Sequence, residues 1–148
     1  MTMDRERWLD LVSEMFTLVM EQAALGEVTR AVTDLLGDGP EVVHGPWQPD
    51  ECRAVLEPWQ QAGWLDLVAD ADPPSGLAEA PWRDRAARDG AYLVLDGADA
   101  RALLAAPARW VAGTADGEVM LCVSDSGSAR EYAEWLRLAG DAERVGET

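Results

Sequence analysis

Lysine, asparagine and isoleucine are wholly absent from the 148 residues, and the chain holds one histidine, one phenylalanine and two cysteines. All twelve basic side chains are arginine. AT-rich codons encode the three missing residue types, so the pattern reads as the bias of a GC-rich bacterial genome, and the arginine preference says little about function. Basic charge as a whole is scarce: 12 basic residues face 28 acidic ones, a net charge of -16. A bare phosphate backbone is repelled by such a chain unless the arginines cluster, which disfavours direct nucleic-acid binding. No stretch approaches the ~18 apolar residues of a membrane span. Met1 to Glu6 also lacks a basic region leading into an apolar run. A cytoplasmic protein without a membrane partner is the expectation. Cys52 and Cys122 lie far apart in a chain long enough to need no staple, so buried thiols are expected in place of a disulfide.

What is present is a folded protein's composition, 48% hydrophobic and 27% charged, which excludes whole-chain disorder. The length suits a single domain over residues 1–148. Trp8, Leu11, Val12, Met15, Phe16, Val19, Met20 and Ala23 recur at three- and four-residue intervals and predict a helix over 5–25. Val28, Ala31, Val32, Leu35 and Leu36 repeat the spacing and predict a second helix over 27–36, closed by Gly37-Asp38-Gly39-Pro40. Pro49-Asp50-Glu51 opens a third over 49–62, with a kink or break near Glu57 because Pro58 follows. Strands are expected at 64–69, 91–95 and 118–124, forming one small sheet. Further helices are expected at 98–105 and at 128–139, the latter opened by a capping box of Ser128 and Glu131. Asp72 to Gly90 reads as a loose excursion and 141–148 as a frayed tail. The pentapeptide Trp-Leu-Asp-Leu-Val occurs at Trp8–Val12 and again at Trp64–Val68, and the flanks predict a helix for one copy and a strand for the other.

Three helices followed by Ala62-Gly63-Trp64-Leu65-Asp66-Leu67-Val68 and a second strand at Tyr92 resemble the winged helix-turn-helix order over residues 5–95. The fold class expected is therefore α+β, a winged-helix-like three-helix unit with a small three-stranded sheet and additional C-terminal helices, with residues 96–140 as a β-α extension. The resemblance implies that Pro49 to Ala62 is the recognition helix and that the segment between Val68 and Tyr92 is the wing. This helix offers Asp50, Glu51 and Glu57 against Arg53 alone, whereas phosphate and guanine contacts call for basic side chains. Protein binding suits these residues better than DNA reading.

No catalytic motif, cofactor motif or metal-ligand spacing emerges. The lone His44 stands in Glu41-Val42-Val43-His44, and Glu-x-x-His binds metal only on a helix with further ligands, so an exposed or locally bonded ring is the plainer reading. Ser124-Asp125-Ser126-Gly127-Ser128 lacks the first glycine of a nucleophile elbow and reads as a turn with a cap. Asp70 with Asp72 and Asp96 with Asp99 lie beside glycine or proline, where turns favour aspartate. Of seven tryptophans, Trp8, Trp64 and Trp135 fall in periodic apolar settings and are expected in the core. Trp47, Trp59 and Trp82 each follow a proline and are candidates for exposed anchors.

These residues point first to a non-catalytic acidic protein-binding module, a regulator, adaptor or immunity-type inhibitor. Its partner surface would comprise Trp47, Trp59, Trp82, Asp50, Glu51 and Glu57, and its protein partner would carry a basic surface. The alternative is a winged-helix DNA-binding transcription regulator, with Arg53, Arg83, Arg85 and Arg88 on phosphates and a homodimer doubling the site. A small-ligand binder or enzyme with a pocket between sheet and helices is the third reading.

Overall fold

A computed structural model describes residues 4–35, 41–71, 80–111, 114 and 116–140. Its first helix, α1 (Arg5–Met20), buries Trp8, Leu11, Val12, Met15 and Val19, the stripe that the sequence spacing marks out. A 3-10 turn (Leu25–Glu27) follows, then a hairpin of β1 (Val32–Leu35) and β2 (Glu41–His44). Helix α2 (Pro49–Gln61) starts at Gln48, whose side chain and that of Glu51 cap each other's backbone, and buries Cys52, Val55, Leu56, Trp59 and Gln60. β3 (Leu65–Asp70), a 3-10 turn (Pro81–Arg85), β4 (Ala87–Asp89) and β5 (Tyr92–Val94) lead to α3 (Gly97–Leu104) and the single-turn α4 (Pro107–Trp110). β6 (Met120–Val123), a one-turn α5 (Asp125–Ser128) and α6 (Tyr132–Ala139) complete the described chain. The architecture is α+β, and among the described residues no helix is long and apolar enough to cross a membrane.

The strands β4-β5-β3-β6 form one antiparallel sheet in that order. Directly paired residues share a face of a sheet and alternate residues change face. One face therefore carries Leu65, Leu67, Ala69 and Leu121, all 0–1% exposed and packed into the core with α1, α2, α3 and α6. The opposite face carries Asp66 beside Cys122, Val68 between Met120 and Val94, and Asp70 and Asp89 on either side of Tyr92. At the β6 edge the chain after α1 adds a short pairing: Leu25 N–H donates to Val119 O and Leu121 N–H to Ala23 O, both at 2.8 Å.

An aromatic cluster joins the helices to the sheet. Trp59 and Trp135 meet edge to face at 4.9 Å, Phe16 lies 5.6 Å from Trp135 and 4.8 Å from Tyr132, and Trp64 lies 5.5 Å from Trp135. Trp8 and Trp135 are buried as expected, while Trp64 is half-buried against the core. Gly127 must be glycine, because a Cβ there would run into the Trp64 carbonyl and the Trp135 ring.

Several expectations need correction. The helix expected over 27–36 is a 3-10 turn and the first arm of a hairpin, so a hairpin stands where the middle of three helices was expected. Its apolar spacing fits either period over so few residues, and β-branched Val32 and Thr33 favour the strand. Helix α2 continues through Pro58 without a break, since the proline costs it a single hydrogen bond while its Trp59 and Gln60 faces stay packed. The excursion over 72–90 contributes a fourth strand, β4, whose residues are all exposed and thus lack an apolar signal; 72–79 lie outside the described residues. The capping box expected at Ser128 is displaced: Ser124 caps α5, and Glu131 with Glu134 caps α6. The tail 141–148 also lies outside the described residues. The repeated pentapeptide does adopt two structures, helix at Trp8–Val12 and strand from Leu65 onward.

Candidate functional site

The sheet face turned away from the helices holds a groove of about 300 Å³. β3 supplies Asp66 and Val68, β4 supplies Asp89, β5 supplies Tyr92 and Val94, and β6 supplies Cys122. The rim is completed by Gln22, Ser124 and Asp125. Gln22 has φ +57, a left-handed conformation uncommon for a residue with a side chain, at the turn where α1 ends. This conformation sets its amide beside the sheet, where Nε2 donates to Cys122 Sγ at 3.6 Å.

Among the described residues, three carboxylates and no basic side chain line this groove. Burial, and then the negative charge of Asp125, holds the Asp66 carboxyl above the usual carboxylate range. Burial likewise pushes the Cys122 thiol up, the Gln22 hydrogen bond opposes it, and Asp66 and Asp89 push it further. Asp66 thus feels Asp125, and Cys122 feels Asp66 and Asp89, so the carboxylates act on one small volume. Tyr92 is 45% exposed at one end, and Val68 and Val94 form an apolar floor. A cation with an alkyl stem satisfies every part of this set: carboxylates pair with its charge, the tyrosine ring offers a cation–π face, and the valines cover its methylenes. A raised pKa lowers the thiolate fraction of Cys122.

The three tryptophans expected as exposed anchors are buried: Trp47 is 4%, Trp59 0% and Trp82 2% exposed. Tertiary contacts outweigh the proline that precedes each. The Arg7 guanidinium lies 4.8 Å over the Trp47 ring, Trp59 Nε1 donates to Trp135 O at 2.8 Å, and Trp82 Nε1 donates to Asp116 Oδ1 at 3.3 Å. Of the acids grouped with them, Glu51 takes Arg7 at 3.0 Å and caps α2, and Glu57 accepts from Arg53 Nε at 2.8 Å. Asp50 is exposed, 3.8 Å from Arg53. None of the three indoles is thus an exposed anchor.

The arginines of the DNA-binding alternative are engaged within the chain. Arg53 pairs with Glu57 and Asp50, Arg83 donates to the carbonyls of Asp70 and Ala71, and Arg85 makes a two-pronged pair with Asp99 at 2.7 and 2.8 Å. Arg88 Nε donates to Gly90 O at 3.3 Å. Releasing them to phosphates would cost those contacts. Among the aspartate pairs, Asp99 is taken by Arg85, which holds its carboxyl below the usual range; Asp96 flanks the start of α3, and Asp72 lies outside the described residues. Ser124 accepts from Gly127 N–H and donates to Gly63 O, the capped turn that the sequence suggests. Both cysteines are free thiols; Cys52 is buried and its pKa is pushed up to about 12.

His44 ends β2, and the side chain of Glu41 lies outside the described residues. His44 Nδ1 lies 2.6 Å from Asp10 Oδ1 on α1. The groove and this histidine contact both escape sequence reading, because each depends on pairings between distant segments. Comparison with protein-family models, with curated proteins and with solved structures finds no match, so the reading of these sites rests on geometry and chemistry.

Proposed function

We propose that this protein is a non-catalytic acidic binding module whose recognition surface is the open sheet face. It docks a basic, arginine- or lysine-bearing segment of a protein partner. The observation that carries the reading is the convergence of Asp66, Asp89 and Asp125 around Tyr92, Val68 and Val94 with no basic side chain in the lining. Ordinary acidic surfaces intersperse both signs, and several of this chain's arginines pair with acids elsewhere, whereas the described lining of this groove carries acids alone as its charged groups. The net charge of -16 would steer a basic partner to it from a distance, with the steering weakening as salt rises. A regulatory, adaptor or inhibitory role in the cytoplasm is consistent with such a surface.

The test is affinity capture from the native cells with wild-type bait and with an Asp66→Asn/Asp89→Asn double variant, with and without nuclease. A stoichiometric basic protein retained by wild type, insensitive to nuclease, weakened by salt and lost with the variant supports the proposal. Equal retention by both baits, or retention that vanishes with nuclease, overturns it, and the latter outcome favours the winged-helix regulator.

A further inference from the structure

His44 is the chain's one histidine, and it does not stand alone. Asp10 and Glu14, four residues apart on α1, present their carboxylates on one face of the helix, and His44 arrives from the end of β2. One ligand atom from each of the three lies within 4.8 Å of the other two, and all three residues are half-buried. We propose that Asp10, Glu14 and His44 form a binding site for a divalent first-row transition metal ion, Zn²⁺ in type. The ion would clasp the β1–β2 hairpin onto α1. The site shares no residue with the acidic groove, so it stands or falls separately from the proposed function.

Distances support the assignment. Zinc binds imidazole nitrogen and carboxylate oxygen at about 2.0–2.2 Å in a tetrahedral shell, so two of its ligand atoms are about 3.4 Å apart. Drawing the three side chains in from 4.8 Å takes a shift of under about 1 Å, within the reach of a side-chain rotation. The Asp10–His44 contact at 2.6 Å already brings the imidazole and a carboxylate side by side, and it opens by under about 1 Å when both bind one ion. A cavity of about 390 Å³ opens beside the three residues, leaving room for ligand waters. Its wall adds Ser13, Thr17 and a further carboxylate, Glu21.

The donor set selects the class of ion. Calcium and magnesium favour all-oxygen shells, whereas an imidazole with two carboxylates suits zinc and its neighbours, with affinity rising along the Irving–Williams order. The sequence conceals the site because its ligands come from a helix and from a hairpin arm 34 residues away.

The test uses the full, tag-free chain, stripped of metal and titrated with Zn²⁺ against a chromophoric chelator. One ion per chain should bind, with affinity falling on the order of tenfold or more in His44→Gln and in Glu14→Gln. Cys122→Ser should bind as wild type does, which excludes thiolate capture. Because the chain has a single histidine, its ring nitrogen resonances in a long-range ¹H–¹⁵N spectrum need no assignment, and one of them should shift with saturation at one equivalent. Glu14→Gln keeps the Asp10–His44 contact, so it separates metal binding from a simple hydrogen bond. The absence of saturable one-to-one binding, or binding unaltered in both variants, overturns the proposal. Contacts within the chain, the Asp10–His44 hydrogen bond among them, would then account for the geometry.

Discussion

Trp59 donates its indole N–H to the backbone carbonyl of Trp135 at 2.8 Å while the two rings meet edge to face at 4.9 Å. This contact ties α2 to α6 across the core and gives Trp59 a structural assignment. Trp59→Phe removes the donor and part of the ring and should cost about 1–3 kcal/mol, and Trp59→Ala about 3–5 kcal/mol, measured by urea denaturation. At temperatures where Trp59→Phe remains folded, partner capture should be unchanged; a selective loss of capture would return this indole to the interface.

Asp66 should trade stability for recognition. Its raised pKa means that the folded chain holds this proton more tightly than the unfolded chain does. Its contribution to stability is therefore present below the usual carboxylate value of about 3.9 and is lost as pH climbs through the folded value. Asp66→Asn should gain stability relative to wild type over that rise, by less than about 1 kcal/mol because the side chain is partly exposed. Thermal melts of both proteins from pH 3.5 to 7.5 check the sign, and a variant that loses stability relative to wild type as pH rises contradicts it.

Two glycines should respond in opposite directions. Gly127→Ala forces a methyl against the Trp64 carbonyl and the Trp135 ring and should cost about 1–3 kcal/mol. Gly97, in the first turn of α3, meets nothing closer than Gln60 Nε2 at 4.0 Å. Gly97→Ala should be neutral or stabilising by up to about 1 kcal/mol, since it restricts the unfolded chain. Paired denaturant titrations measure both.

The two thiols should differ in reactivity. Burial keeps Cys52 protonated, with a pKa of about 12, so native protein at pH 8 should leave it unmodified by a thiol reagent until the chain unfolds. Cys122 is half-buried at the groove and should react slowly in the folded state. A time course of mass-labelled alkylation with peptide mapping separates the sites, and rapid native labelling of Cys52 would contradict its placement.

Much of the helical and central-strand layout was legible because apolar spacing reports burial within one element. Trp8 through Val19 gave α1, and the glycine and aspartate punctuation around Tyr92 gave β5. The β1–β2 hairpin was not legible, since Val28, Ala31, Val32 and Leu35 satisfy a helical period by coincidence over a short span. β4 carries Ala87, Arg88 and Asp89 at an exposed edge, where no hydrophobic alternation is needed. The candidate sites were hidden for a further reason. Asp66 and Cys122 are neighbours only through the β3–β6 pairing, and Asp10 and His44 only through the hairpin's return to α1. The two aspartates are the central residues of the repeated Trp-Leu-Asp-Leu-Val segment, in two structures and two unrelated roles. Trp47, Trp59 and Trp82 show the converse: local irregularity beside a proline suggested exposure, and long-range packing decided burial.

The open sheet face is the central claim, and its most direct test is an NMR titration of the ¹⁵N-labelled chain with a blocked arginine derivative, N-acetyl-arginine methylamide. The account predicts saturable shifts concentrated on the amides of Asp66, Val68, Asp89, Tyr92, Val94 and Cys122. They should weaken with added salt and disappear in Asp66→Asn/Asp89→Asn. Shifts scattered over the acidic surface in proportion to local charge, unchanged in the double variant, would contradict it.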